Sequence, residues 1–382
     1  MNRLLCFPFL FRLWLLTLLL PGSTFARETT TLTEGWKFYA GEVTNGSVAT
    51  CLDADWSAVS LPHCWGWAEA QRGEKYYRGP GWYRTTLAIA PVPGKRYYLR
   101  FEAAAIVAEV YLNGVHLGGH RGGFGAFCFE ITSQLSRNGT NLLAVRVSNA
   151  AAPEVAPLSG DFNVYGGLYR PVHLIMADQT SFALTDHASA GVAWLSRQVT
   201  ATQAVLDVTA QVDMGPSTVR SGRLATKILT AAGQLVMQTN ETIQLVPGMV
   251  APYWSHLVVP TPHLWQGRRD PYLYQAVVEL QTTNGALLDS VTQQIGLRSC
   301  VIDPEKGFLL NGQPYPLHGV CRHQDRQDKG WAISSADMAE DVALLQEMGV
   351  NAVRCAHYQH SDYFYQLCDQ AGLLVWAEIP QV

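Results

Sequence analysis

Leu317-His318-Gly319-Val320-Cys321-Arg322-His323-Gln324-Asp325, then Asn351-Ala352-Val353-Arg354, then Leu373-Leu374-Val375-Trp376-Ala377 running into Glu378-Ile379-Pro380, decide the architecture of this chain. Each is a short apolar run ending in charged or imidazole side chains, and a helical pattern separates each from the next. Ser334 or Ser335 can cap a helix whose apolar stripe is Met338, Val342, Leu344, Leu345 and Met348, and Gly349 closes it. Asp362 to Gln370 reads as a second helix, ended by Gly372. Strand, helix, strand, helix, strand at this spacing predicts a parallel sheet that begins a (β/α)8 barrel, the first strand covering Pro316 to Val320. Chemistry in such barrels sits at the carboxyl ends of the strands, which marks His323, Asp325, His357 and Glu378. Only the first three β/α units are present, so the chain is expected to be the N-terminal part of a truncated enzyme.

Upstream, the pattern changes at about Cys300, where Phe308-Leu309-Leu310-Asn311-Gly312-Gln313-Pro314 reads as a hairpin. Residues 179–299 show strand alternation, as in Ala204-Val205-Leu206-Asp207-Val208-Thr209-Ala210-Gln211-Val212, and have the length of an immunoglobulin-like β-sandwich. Residues 27–178 are short strands broken by Gly, Pro and Asn, including a hairpin at Asn113-Gly114, and predict a jelly-roll β-sandwich. The barrel portion is residues 300–382.

Nearly half of the 382 residues are apolar (48%), enough for several packed cores, and the net charge of −4 with no basic run argues against a nucleic-acid partner. The run Leu4 to Leu20, preceded by Arg3 and followed by Pro21-Gly22-Ser23-Thr24-Phe25-Ala26, has the layout of a secretory signal peptide over residues 1–26. Arg12 within the run and the helix-breaking Pro21-Gly22 disfavour a stable membrane anchor, so export to the periplasm or medium is expected. Beyond the signal, Cys51, Cys64, Cys128, Cys300, Cys321, Cys355 and Cys368 show no CxxC spacing, and are expected to be buried small hydrophobes without a disulfide framework or zinc site. A Cys51–Cys64 bridge is open in an oxidising compartment but is not expected. Sequons stand at Asn45, Asn138 and Asn240. Oligomeric state is not legible, and a homo-oligomer is compatible with the sequence.

The arrangement resembles glycoside hydrolase family 2, and within it the bacterial β-galactosidases. The matching stretches are Leu61-Pro62-His63, Gly81-Trp82-Tyr83-Arg84, Tyr111-Leu112-Asn113-Gly114, Tyr165-Gly166-Gly167-Leu168-Tyr169-Arg170, Pro271-Tyr272-Leu273-Tyr274, His318 to Asp325, Asn351 to Tyr358, and Leu367 to Leu373. The resemblance implies that His323 and His357 contact sugar hydroxyls, a task suited to imidazole, which can donate from one nitrogen and accept at the other. It also implies that Asp161, in a Gly-rich loop of the first sandwich, reaches the site. Arg354 and Asp325 would brace it. Trp65 and Trp67 are candidates for an aromatic platform, with core packing accounting for at least one of them. Cys64 stands where relatives commonly carry an acid. Magnesium or sodium in the full-length enzyme is left open.

Family 2 enzymes are retaining glycosidases that use two glutamates about 5–5.5 Å apart. In the family both come from later strands, so no catalytic glutamate is assigned here and Glu378 is given a supporting role. The resemblance thus implies an enzyme cleaving terminal β-D-galactosyl residues, this chain alone being inactive. The alternatives are a β-glucuronidase or β-mannosidase of the same family, or a pair of non-catalytic carbohydrate-binding modules. The barrel portion is expected to be poorly stable alone, because three strands leave an unpaired edge.

Overall fold

A computed structural model describes residues 27–380; the expected signal peptide lies outside the described residues. The first sandwich pairs two antiparallel sheets. The six-stranded sheet runs in the order Ser57–Val59, Trp36–Ala40, Pro80–Ala88, Thr140–Ser148, Val107–Leu112 and Val115–Arg121. The four-stranded sheet runs Arg27–Thr31, Val172–Asp178, Lys95–Phe101 and Phe127–Glu130. Alternation puts Val110, Leu112, Leu143, Val145, Leu99 and Phe101 between the sheets, all fully buried. Asn113 and Gly114 both take positive φ (53° and 83°), the geometry a tight primed turn requires. A helix at Trp67–Gln71 was not expected; five residues are too few to show helical periodicity.

The second sandwich has Gln203–Asp213 flanked by Val192–Val199 and Val250–Pro260, facing the sheet Leu235–Gln244, Ser221–Leu229, Tyr274–Thr282 and Leu287–Ile295. Buried charge locks it to the first. Arg96 binds Glu130 of the first sandwich and Asp213 of the second, and Arg27 donates to the fully buried Asp289 at 2.6 Å.

A small antiparallel sheet, Cys300–Asp303, Gly307–Leu310 and Gln313–Pro314, leads into three parallel strands, Gly319–Arg322, Ala352–Cys355 and Leu374–Ala377. The first of them starts three residues later than the apolar run predicts, because pairing begins where Gly319 meets Ala352. Ser334 caps the helix Ser335–Glu347 through a capping box with Asp337, and Gly372, in the left-handed region at φ 73°, ends Asp362–Ala371. Trp376 and Ile379 are 67% and 70% exposed at the open side of this sheet.

The barrel onset does not stand alone, which bears on the instability expected for it in isolation. Trp331, 2% exposed, sits among Tyr169, Phe124, Tyr165 and Tyr358, with ring centroids 5.1–5.8 Å away. Three of those four rings belong to the first sandwich. Trp265 of the second sandwich donates to Asp369 O at 2.9 Å. All seven described cysteines are free, Cys51 and Cys64 included. Cys300 and Cys321 are exposed, which corrects the expectation of burial for these two: both lie on short, largely exposed strands.

Candidate active site

The carboxyl ends of the first two barrel strands place His323 and His357 side by side, ring centroids 5.2 Å apart. The His323 imidazole is partly buried, with Nδ1 3.3 Å from the Tyr358 hydroxyl. Burial lowers its pKa, against the opposing pull of Asp325 and Asp161, so the ring is neutral at neutral pH. A neutral ring keeps one nitrogen to donate and one to accept. Asp161 is thereby placed near His323, on an exposed loop of the first sandwich.

His357 is braced from below. Arg354 forks onto Glu378, Nε to Oε1 at 2.7 Å and Nη2 to Oε2 at 3.0 Å. His357 Nδ1 lies 3.1 Å from the same carboxylate and 3.0 Å from Arg354 Nη2. With Nδ1 occupied, Nε2 is the atom left to meet a ligand. The Arg354 hydrogen bond holds the Glu378 carboxyl below its ordinary range, with His357 adding to it. A general acid needs a raised pKa, so Glu378 is suited to orienting its neighbours, not to donating a proton.

Asp325 is exposed and acts on His323, Tyr165 and Tyr358 through its charge; no hydrogen bond of its carboxylate is seen among the described residues. The structure therefore joins His323, His357, Arg354 and Glu378 through ring and hydrogen-bond contacts, while Asp161 and Asp325, both exposed, act on His323 through their charge. Trp65 is core, 8% exposed and stacked on Phe38 at 5.3 Å, and Trp67 packs against the Trp331 cluster. Neither forms the aromatic platform that was considered.

Phe162 escaped the sequence reading. Its ring centroid lies 5.9 Å from both His323 and His357, so it forms the wall between the sandwich and the barrel end. A Cβ on Gly160 would stand 2.7 Å from the Phe162 ring, so only glycine lets the loop fold back this way. Arg170 was also missed as an organiser. It is 6% exposed and donates to Phe124 O, Gln324 Oε1 and Gln359 O at 3.0, 2.7 and 2.6 Å. Gln324 directly follows His323, and Gln359 lies just past His357. The one available signal was a charged residue ending an otherwise apolar and glycine-rich motif. Among the described residues no group of three or more His, Cys, Asp or Glu side chains could hold a metal ion, and no helix is long and apolar enough to cross a membrane.

Known proteins resemble this chain along most of its length. Residues 302–382 match the TIM barrel domain of glycosyl hydrolases family 2, residues 193–298 match glycosyl hydrolases family 2, and residues 70–167 match the glycosyl hydrolase 2 galactose-binding domain-like model. A β-glucuronidase of Bacteroides fragilis is 40% identical over 359 residues, 93% of this chain and 50% of that protein. A β-galactosidase of Bacteroides ovatus is 29% identical, over 92% of this chain and 41% of that protein. The crystal structure of a Bacteroides uniformis β-glucuronidase superposes with a TM-score of 0.88 at 36% identity, covering 93% of this chain and 42% of that one. The chain spans about half, or less, of the length of these relatives. With the sandwich, the second sandwich and the barrel onset each matched in order, the chain belongs to glycoside hydrolase family 2.

Proposed function

We propose that this chain supplies the sugar-binding side of a retaining β-glycosidase that removes a terminal non-reducing sugar. The paired imidazoles carry the reading: His323 and His357 stand 5.2 Å apart under the Phe162 wall. Such a pair can hold adjacent hydroxyls of one sugar ring, with Asp161 as a further acceptor from the sandwich. Retaining hydrolysis needs two carboxyl groups about 5–5.5 Å apart, one attacking the anomeric carbon and one passing the proton to the leaving oxygen and later taking it from water. Glu378, ionised and tied to Arg354, positions His357 in this scheme. The nucleophile and the acid/base are assigned to barrel strands beyond those described.

The 40% identity to a β-glucuronidase favours a terminal β-glucuronosyl residue over the β-galactosyl residue expected from sequence motifs. The galactosyl reading stays as the second, supported by a 29% identical β-galactosidase. The product of the complete reading frame, assayed on 4-nitrophenyl β-D-glucuronide and β-D-galactoside, is expected to turn over the glucuronide preferentially and to lose most activity on His323→Ala or His357→Ala. Turnover of neither glycoside, or turnover indifferent to both substitutions, would overturn the reading. The 382-residue chain itself should be inactive; turnover that Glu378→Gln abolishes would move catalysis to that residue. The N-terminal apolar run supports export, and Arg27 is then expected as the first residue of the protein recovered outside the cytoplasm.

A further inference from the structure

Tyr358 directly follows His357 in the chain, yet its hydroxyl serves the other imidazole. The ring is fully buried, stacked on Phe124 at 4.2 Å and 3°, and edge-on to Phe162 at 5.4 Å. Trp331 and His360 close two more sides, at 5.8 and 5.5 Å. Packing on these sides fixes the direction of the hydroxyl, which ends 3.3 Å from His323 Nδ1. A buried hydroxyl proton needs an acceptor. The backbone N–H of Gln324 lies against the same oxygen and cannot accept. Among the described residues, His323 Nδ1 is the acceptor that remains. A neutral imidazole carries one proton, and the nitrogen that accepts is not the one that bears it.

We infer that Tyr358 is a positioning residue: its hydroxyl donates to His323 Nδ1 and fixes the tautomer in which Nε2–H is left to donate to a sugar oxygen. The sugar in this statement rests on the glycosidase reading, whereas the tautomer does not. Phe124, on which Tyr358 stacks, stands in Gly122-Gly123-Phe124-Gly125 of the first sandwich, so the sandwich decides where a proton sits at the barrel end. The same hydroxyl holds the ring neutral. Protonating His323 would place hydrogens on both nitrogens and leave the Tyr358 proton without an acceptor. The charges facing the ring are divided: Asp325 and Asp161 favour the cation, while Arg354, His357 and His360 oppose it.

The test uses the product of the complete reading frame with its histidines labelled with nitrogen-15. The His323 resonances are those absent from His323→Ala or His323→Gln, and are expected to show a proton on Nε2 and none on Nδ1 at neutral pH. Tyr358→Phe keeps the ring packing and removes the donor. It is expected to raise the His323 titration midpoint by about 0.5–1 pH unit, and to lower kcat/KM on the glycoside that the protein hydrolyses about three- to tenfold, the size of one neutral hydrogen bond. In the His323→Ala background the same substitution should leave kcat/KM within about twofold, because Tyr358 acts through the imidazole. A proton on Nδ1 in the unsubstituted protein, a midpoint unmoved or lowered by Tyr358→Phe, or an equal loss in both backgrounds would overturn the assignment while leaving the glycosidase reading standing. Hydrolysis of no glycoside would overturn that reading, and the labelled spectra would still decide the tautomer.

Discussion

Replacing Arg170 with methionine keeps much of the aliphatic stem but removes the group that joins the first sandwich to both histidine-bearing loops. The guanidinium makes three hydrogen bonds at 2.6–3.0 Å from a site 6% exposed. Bonds from a charged donor contribute about 1.5–3 kcal/mol each, but these share one cation and do not add. Gln324 Oε1 and the carbonyls of Phe124 and Gln359 would be left without this donor in a buried setting. Leaving a buried neutral acceptor without its donor costs about 1–3 kcal/mol. Guanidinium denaturation followed by tryptophan fluorescence reads the loss, and amide hydrogen exchange locates it. Exchange is expected to quicken over residues 319–326 and 355–362, and to stay unchanged in Gln203–Asp213 of the second sandwich. Arg170→Lys should fall between, since an ammonium cannot reproduce the planar fork. An Arg170→Met protein within about 0.5 kcal/mol of the parent, the range of ordinary surface changes, with unaltered exchange at both loops, would refute the clamp.

Trp331→Ala should destabilise by about 3–5 kcal/mol, because it empties the centre of an aromatic cluster shared by sandwich and barrel; a melting profile matching the parent's would show that the cluster contributes little. Burial lowers the pKa of His63 to about 4 from an ordinary 6.5. Its ring is therefore neutral when folded, and as pH falls below about 6.5 the unfolded chain takes the proton first, so this contribution to stability is lost between there and about pH 4. Imidazole proton NMR checks this, and a His63 midpoint near 6.5 would contradict it. In the product of the complete reading frame, Glu378→Gln should lower kcat/KM about 10–100-fold by freeing Arg354 and His357 to shift, while leaving residual turnover; a complete loss would point to Glu378 as a reacting group.

What could be read from the chain before folding was whatever is encoded by near neighbours. Asn113-Gly114 makes its turn from two residues that tolerate positive φ. Ser334 and Asp337 cap a helix across three positions, and Gly372 ends another. The alternation of Gln203–Asp213 fixes which side chains enter a core. These local signals determined the order of two sandwiches and a parallel barrel onset, and put His323, His357 and Glu378 at strand ends. Tertiary structure alone decided what those strand ends face. Gln324, Trp331 and Tyr358 are ordinary in sequence, and acquire a role only because Arg170 and Phe124, about 150 residues or more upstream, are pressed against them. Phe162 reaches both imidazoles because Gly160 lets its loop turn back, a contact with no periodicity to announce it. Asp325, beside His323 in the chain, and Asp161, distant in sequence, are both brought within electrostatic reach of it. Backbone propensity and side-chain alternation act over a few residues, whereas a binding site is defined by which surfaces dock, and docking depends on the packed shapes of whole domains.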